Sequence, residues 1–357
     1  MRNFCNKILL FGKFLLSSNR VLFLFVLYCL SCSGKPQRND QVINVMFYNT
    51  ENLFDINDNP DKDDDEFTPD GARRWTEKRY WNKLTNLSRV LVAVDEADAP
   101  EIVGLCEVEN DSVLRDLTTR SVLKSIGYRY VVTDSPDIRG INVALLYKSS
   151  WMRLIASESL RVDLSDAGGK KTRDILHVTG RISSGDTLDI YVCHWPSRIG
   201  GIEASEPFRR IAAQVAMTSV RNVLLRRAKP YIILMGDLNE GCSDPAIRMT
   251  MGSRPLYTGA SLPDDRLVTL MDGQAGGSYR YEGRWELYDQ FVVSASFLNG
   301  HGNLRIDNIR ICSLNFLLED DVRYGGRKPL RTYNGYRYQN GFSDHLPIAF
   351  DICYWTA

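Results

Sequence analysis

The chain has 357 residues, with 44 Lys and Arg against 44 Asp and Glu. That balance excludes a protein that coats nucleic acid through bulk positive charge, so any polyanion site has to be local. Eight scattered cysteines exclude a disulfide scaffold, and four histidines with no HExxH motif give little support to a zinc hydrolase.

Residues 1–31 read as a targeting segment. Arg2, Lys7, Lys13 and Arg20 make a basic start, and Val21–Leu30 is an apolar run too short to span a bilayer comfortably. Ser31, Cys32, Ser33 and Gly34 follow, which resembles a bacterial lipoprotein signal, although Cys29 stands where Leu is usual. The expectation is an exported protein with a lipidated Cys32, a tether over 32–41, and a place at the outer membrane, in the periplasm or on the cell surface. Ordinary signal cleavage nearby is the alternative. Without this segment 40 basic and 44 acidic residues remain, a net charge of −4. No Pro/Ser-rich linker divides 42–357, which is expected to form one domain.

Val42–Tyr48 predicts a first strand, closely followed by Asn49, Glu51 and Asn52. Asp55–Glu66 holds seven carboxylates and two Asn at a spacing foreign to an EF-hand, and reads as a solvated loop. Thr76 is expected to cap a helix with Trp81, Leu84, Leu87, Leu91 and Val94 on one face. Ile102–Cys106 predicts a strand ending at Glu107, and Asp111–Ile126 a helix closed by Gly127. Strands are expected at Tyr128–Thr133, Asn142–Tyr147, Ile175–Ile182 and Thr187–Cys193, and Pro207 is expected to open a helix running to Lys229.

Ile232–Met235 is a continuous apolar run, as expected for a strand buried on both faces. It stops at Gly236, and Asp237 and Asn239 follow two apart. On an extended strand end such residues project together from the rim of a sheet; a simple turn is the plainer alternative. After a Gly-rich irregular region to Arg284, strands are expected at Leu287–Ser294, Leu304–Leu314 and Leu346–Ile352. Helices early and successive strands late predict mixed sheets packed together, with helices outside. GxGxxG, GxxxxGK[ST] and GxSxG are all missing, which argues against a nucleotide-cofactor fold and an α/β-hydrolase. Of the five later cysteines, Cys106, Cys193 and Cys353 read as small buried hydrophobes, and an oxidising compartment leaves room for one disulfide.

Several predicted strands end on polar residues: Asn49 and Glu51, Glu107, His194 with Ser197 and Arg198, Asp237 and Asn239. Asp289 lies in WELYDQF, and Asp344 and His345 precede the last strand. Carboxylates and amides are oxygen ligands suited to Mg²⁺, Mn²⁺ or Ca²⁺. Singly, each residue has a plain structural explanation, such as a turn cap, a surface ion pair or a buried His–Asp bond.

Together and in this order, the motifs GDLN, SDHLP, YNTEN and CHWPSR resemble the endonuclease/exonuclease/phosphatase superfamily, the deoxyribonuclease-like hydrolases. NLFD, EFTP and RWTEKRYWNKL resemble its exported bacterial members. The similarity runs from Asn49 to His345, with one departure at Gln290, where an aromatic residue or His is usual. It implies an α/β fold of two mixed β-sheets packed as a sandwich with helices on the outer faces, in four layers α/β/β/α.

The resemblance further implies that Glu107 is the principal metal ligand, with Asn49, Glu51 and Asp344 completing the sphere around Mg²⁺, Mn²⁺ or Ca²⁺. Asp237 would orient or deprotonate water, and Asn239 would bind a phosphate oxygen. His345, held by Asp289, would act at the phosphorane, and His194 and Arg139 would contact the phosphate. Whether Asp237 or His345 is the base stays open. The implied activity is that of a metal-dependent phosphodiesterase acting on nucleic acid. A phosphomonoesterase or a phospholipid or sugar-phosphate hydrolase is the alternative, and an inactive surface binding protein a third. The chain is expected to be a monomer whose membrane contact is its lipid anchor only. Tyr324–Tyr338, rich in Arg, Lys and Tyr, is expected to line a polyanion or sugar-ring groove, or to form a solvated loop.

Overall fold

Strands in this chain form where β-branched and aromatic residues alternate, and the helices fall where apolar residues recur at helical spacing. The structure is a computed structural model describing residues 40–95, 98–255, 262–299 and 302–355. The expected targeting segment, Cys32 and His301 lie outside these residues. The first elements are β1 (Asp40–Leu53), α1 (Glu77–Ala93), β2 (Ile102–Val108), α2 (Asp111–Thr119), β3 (Tyr128–Val132) and β4 (Asn142–Lys148). They are followed by β5 (Met152–Leu160), β6 (Ile175–Ile182), β7 (Thr187–His194), α3 (Ile202–Arg226) and β8 (Tyr231–Asp237). Short strands come next: β9 (Arg254–Pro255), β10 (Leu267–Thr269), β11 (Tyr279–Tyr281) and β12 (Arg284–Glu286). The chain continues through β13 (Asp289–Ser294), β14 (Arg305–Ile311), β15 (Leu318–Asp320), β16 (Arg327–Pro329), β17 (Tyr333–Asn334), β18 (Arg337–Tyr338) and β19 (Ile348–Trp355).

Two large mixed sheets result. One has the order β14-β19-β1-β2-β4-β3, the other β5-β6-β7-β8-β13-β10-β9. The inner layer holds Ile43, Val45 and Phe47 of β1 against Ile190 and Val192 of β7 and Ile233 and Met235 of β8. The opposite face of the first sheet, Met46, Tyr48, Val103 and Leu105, is covered by Leu84, Leu87 and Leu91 of α1 and Leu114 and Leu117 of α2. Ile232 and Leu234 of β8 turn the other way, onto Ala212, Ala213 and Ala216 of α3. The order of layers is therefore helix, sheet, sheet, helix, as expected, and β8 is buried on both faces. None of the described helices is long and apolar enough to cross a membrane.

Local departures have physical causes. Thr76 sits at the start of α1, but its side chain makes no capping bond. The helix after Asn110 stops at Thr119 and resumes as a 3₁₀ turn over Val122–Ser125, with Ser121 capping Leu123 N. Helix α3 starts at Ile202, so Pro207 lies inside it rather than opening it. β5 has no apolar alternation because it is an edge strand whose side chains are mostly exposed, and the sequence pattern passes over it. Of the acidic loop, Asp64 is buried while most of its neighbours are exposed. All five cysteines after Cys32 are free thiols, so the described residues contain no disulfide.

Candidate active site

Each sheet contributes one parallel pair of long strands, β1 with β2 and β7 with β8, and both pairs end at the same rim. The first pair delivers Asn49, Glu51 and Glu107, the second His194 and Asp237. Their antiparallel partners start where these stop: Asp289 pairs directly with Asp237, and His345 lies three residues before the start of β19. Gln290 shows why the register holds despite its unusual identity. It faces away from the rim, accepting from Cys242 Sγ at 3.2 Å and donating to the Leu287 carbonyl at 2.5 Å.

The strand ends leave extended geometry abruptly. Glu51, Asn52, Glu107 and Asn239 have φ of 50°, 56°, 59° and 49°, the left-handed region that side chains other than glycine rarely adopt. Such conformations cost on the order of 1–3 kcal/mol each and persist where surrounding bonds impose them. Here the rim side chains supply those bonds. Glu51 N donates to Asn49 Oδ1 at 2.9 Å, Asn52 N to Glu107 Oε2 at 2.9 Å and Asn239 N to Asp237 Oδ1 at 3.0 Å. This corrects the expectation that Asp237 and Asn239 project together from an extended strand. The strand ends at Asp237, whose carboxylate closes a turn onto Asn239, and Asn239 Nδ2 donates to the Trp195 carbonyl at 3.2 Å. Turn and rim residue are one and the same.

Asp237 Oδ2 is the point where the two sheets meet. Asn49 Nδ2 donates to it across the sandwich at 3.1 Å. His345 Nε2 and His194 Nε2 each stand 3.7 Å from it, and His194 Nε2 is 3.9 Å from Glu107 Oε1. On its other side His345 Nδ1 is bonded to Asp289 Oδ2 at 2.7 Å. Burial raises the Asp237 carboxyl to about 6, with His345 opposing and Asp289 adding to the rise. For His345 burial acts toward the neutral ring, but Asp289 and Asp237 outweigh it and hold the imidazole well above its usual range. His194 is displaced the opposite way, well below that range, by burial and by the Arg173 and Arg139 guanidiniums. Titratable groups pushed apart in this manner can divide acid and base work between them.

Arg139 is bound to Asp137 through Nε and Nη2, both at 3.3 Å, and is close enough to depress His194 without bonding to it. Asp137 also pairs with the buried Arg173 at 3.1 Å, and Arg173 donates to the carbonyls of His194 and Trp195. Glu51 and Asp344 are brought together by Arg331, whose Nε is 3.1 Å from Glu51 Oε1 and whose Nη2 is 2.9 Å from Asp344 Oδ2. Glu51 further accepts from Thr332 N at 2.6 Å and lies 4.0 Å from the buried Lys83 Nζ. Burial lowers Lys83 to about 8, against the pull of Glu51 and Asp344.

Sequence reasoning missed Lys83, Arg173, Tyr279 and the specific role of Arg331. Lys83 is one position from Leu84 on the covered helix face, which a helical wheel would flag. Arg331 lies in the basic, aromatic stretch already singled out. Tyr279 carries no signal: its ring lies 4.8 Å from that of His345 and 5.7 Å from Tyr288, and Arg198 caps Tyr288 at 4.5 Å. Arg198 Nε also donates to the Asn239 carbonyl at 2.7 Å, so this stack ties the loop of Asn239 to that of His345.

A divalent cation fits this rim. Asp237, Asp289 and His345 present ligand atoms within 4.8 Å of one another, but His345 is taken up by its 2.7 Å bond to Asp289, which leaves the carboxylate oxygens as the rim's donors to a cation. Glu107 adds a carboxylate that is only partly buried. Oxygen donors of this kind suit hard cations.

A two-sheet sandwich with a His–Asp pair and gathered carboxylates at one rim defines a class of phosphate-ester hydrolases. The chain belongs to the endonuclease/exonuclease/phosphatase family, whose profile matches residues 44–353. Members of this family hydrolyse phosphate esters. Solved structures agree in fold. A family member from Bacteroides thetaiotaomicron aligns with 14% identity and a TM-score of 0.55 over 89% of this chain and 100% of its own. The mannosyl-6-phosphatase of the same bacterium aligns with 15% identity and a TM-score of 0.54, over 87% and 99% of the two chains. D. rerio TDP2 complexed with single-strand DNA product aligns with 13% identity and a TM-score of 0.52, over 87% and 99%. No curated protein matches the chain by sequence.

Proposed function

We propose that the chain is a divalent-metal-dependent hydrolase of phosphate esters whose reaction centre is Asp237 Oδ2. The convergence of Asn49, His194 and His345 on that one oxygen carries the proposal. Asp237, buried but ionised above about 6, orients an attacking water and takes its proton. His345, kept cationic by Asp289, faces the same space and stabilises negative charge on the phosphoryl oxygens. Asn239 and neutral His194 hold the phosphate, with Arg139 adding positive charge from the side. A cation held by Glu107 and Asn49, with Glu51 and Asp344 behind them in the grip of Arg331, would polarise a phosphoryl oxygen as a Lewis acid.

Replacing Asp237 by Ala, or His345 by Ala, is expected to lower kcat by ~10³-fold or more with unchanged circular dichroism. Full turnover in both variants excludes this centre. A panel of esters assayed with Mg²⁺ and with chelator tests metal dependence in parallel. A nucleic-acid phosphodiester is the second reading, supported by the fold shared with the DNA-bound D. rerio protein. Export and lipidation at Cys32 stand as part of the proposal. Cys32→Ser is expected to move the protein from the membrane fraction to the soluble one.

A further inference from the structure

The acidic loop Asp55–Glu66 has no part in the roles above, yet one cation within it reaches a second loop. Lys62 Nζ donates to the carbonyls of Ser135 and Asp137, both at 3.1 Å, and Asp63 N donates to the Ile138 carbonyl at 2.7 Å. The Lys62 stem lies over Gly140, where an added Cβ would stand 3.4 Å from its Cγ. The acidic loop is thereby strapped onto the turn Asp137–Gly140, which Gly140 N closes on the Asp137 carbonyl at 3.1 Å. That turn carries Arg139.

Asp137 is the inner half of the same arrangement. Its Oδ1 accepts from Arg139 N at 2.9 Å and Arg139 Nε at 3.3 Å, and its Oδ2 from Arg139 Nη2 at 3.3 Å and Arg173 Nη1 at 3.1 Å. Arg173 in turn donates through Nε and Nη2 to the carbonyls of His194 and Trp195, at 3.1 and 2.6 Å. Burial acts against charge on Asp137, but Arg173 and Arg139 outweigh it and hold the carboxyl below its usual range. One carboxylate between two guanidiniums leaves a single positive charge uncompensated. The two cations differ in access, for the Arg173 side chain is 5% exposed and that of Arg139 is 46% exposed. The excess charge therefore meets solvent through Arg139, which Asp137 grips at three nitrogens. A guanidinium held in its plane beforehand loses less rotamer freedom on meeting an anion than a free one does.

We infer that Asp137 and Lys62 are positioning residues for phosphate recognition: Asp137 sets the plane of Arg139 from within, and Lys62 holds the same turn from outside. Arg173 anchors Asp137 to the strand end that carries His194. The inference rests on the phosphate-ester assignment above and gives the acidic loop a part in it. Neither residue touches the substrate, and each acts through Arg139. A purely structural residue would lower stability whatever stands at position 139, whereas a positioning residue matters only while the arginine is there to be aimed.

The test measures the Kd of inorganic phosphate by calorimetry, and KM and kcat for p-nitrophenyl and bis-p-nitrophenyl phosphate with Mg²⁺, on the full protein. Asp137→Asn is expected to raise Kd and KM ~10-fold and Lys62→Met ~3-fold, with kcat held within ~2-fold. Both substitutions are then combined with Arg139→Met. In that background the effect of either is expected to shrink below ~2-fold, because the side chain it acts through is gone. Effects that persist undiminished beside Arg139→Met, or unchanged Kd and KM in the single variants, overturn the positioning role and leave the hydrolase assignment standing. Asp137→Asn leaves Arg173 buried without its anion. Should that variant fail to fold, Lys62→Met, which lies outside the buried pair, decides. No turnover of either ester by the unaltered protein counts against the hydrolase assignment, and the phosphate Kd values then decide the positioning role alone. An unaltered protein that binds no phosphate overturns both.

Discussion

Asp237 is a carboxylate in a place that disfavours charge. Its folded pKa of about 6 exceeds the ordinary carboxylate value, so the folded state binds a proton more readily than the unfolded chain. Stability from this group therefore falls as pH rises through the interval between the two values, and the cost is fully present at pH 7. Asp237→Asn keeps an acceptor for Asn49 while removing the charge. It is expected to inactivate the enzyme yet raise unfolding free energy at pH 7 by ~2–3 kcal/mol, read by urea denaturation, with the gain vanishing near pH 4. A less stable variant would contradict the burial argument. His345 gives the complementary test. Asp289→Asn removes the anion bonded to Nδ1, so the imidazole loses its proton at lower pH and the alkaline limb of kcat/KM should move toward acid. An unmoved limb would mean that Asp289 orients the ring and nothing more. At this scale much was legible. Asn49, Glu107, His194, Asp237, Asp289 and His345 all gather at one rim, because polar residues ending apolar strands have few other places to go. Arg331 and Tyr279 were not, since their partners lie 280 and 66 positions away in sequence and no local pattern encodes that distance.

Among the elements, β8 has the least freedom. Gly236 lies where a Cβ would run into the Cys193 carbonyl of β7, so the parallel pairing that sets His194 beside Asp237 requires the glycine. Gly236→Ala is expected to cost ~1–3 kcal/mol by overpacking and to lower kcat disproportionately, because the shift falls between two rim residues. Equal activity per folded molecule, after correction by circular dichroism, would show that the pair tolerates the displacement. The same logic explains which elements could be read in advance. β1 and β8 announce themselves because both faces are buried, whereas β5 is an exposed edge and β9 to β12 are too short to show a period. The early start of α3 was hidden by Pro207, a usual first-turn residue that this helix carries inside.

For the molecule as a whole, the mixed four-layer plan followed from the succession of elements, but the pairing of β19 between β14 and β1 did not. A contact spanning from Asp40 to Trp355 leaves no trace in any local window. That pairing has a consequence in time. Ile348–Trp355 lies inside its sheet between β14 and β1, and the imidazole proposed to act in turnover sits three residues upstream of it. Until this strand pairs, β14 and β1 carry unsatisfied edges and His345 is not held at the rim, so the proposed centre forms only with this pairing. Ending the chain at Phe342 is expected to yield an inactive, aggregating product, and adding a synthetic peptide covering 343–357 should restore turnover in proportion to its binding, measured by titrating hydrolysis against peptide. Recovery would make this strand a detachable key to the enzyme. An active truncated chain would show that the key was never needed.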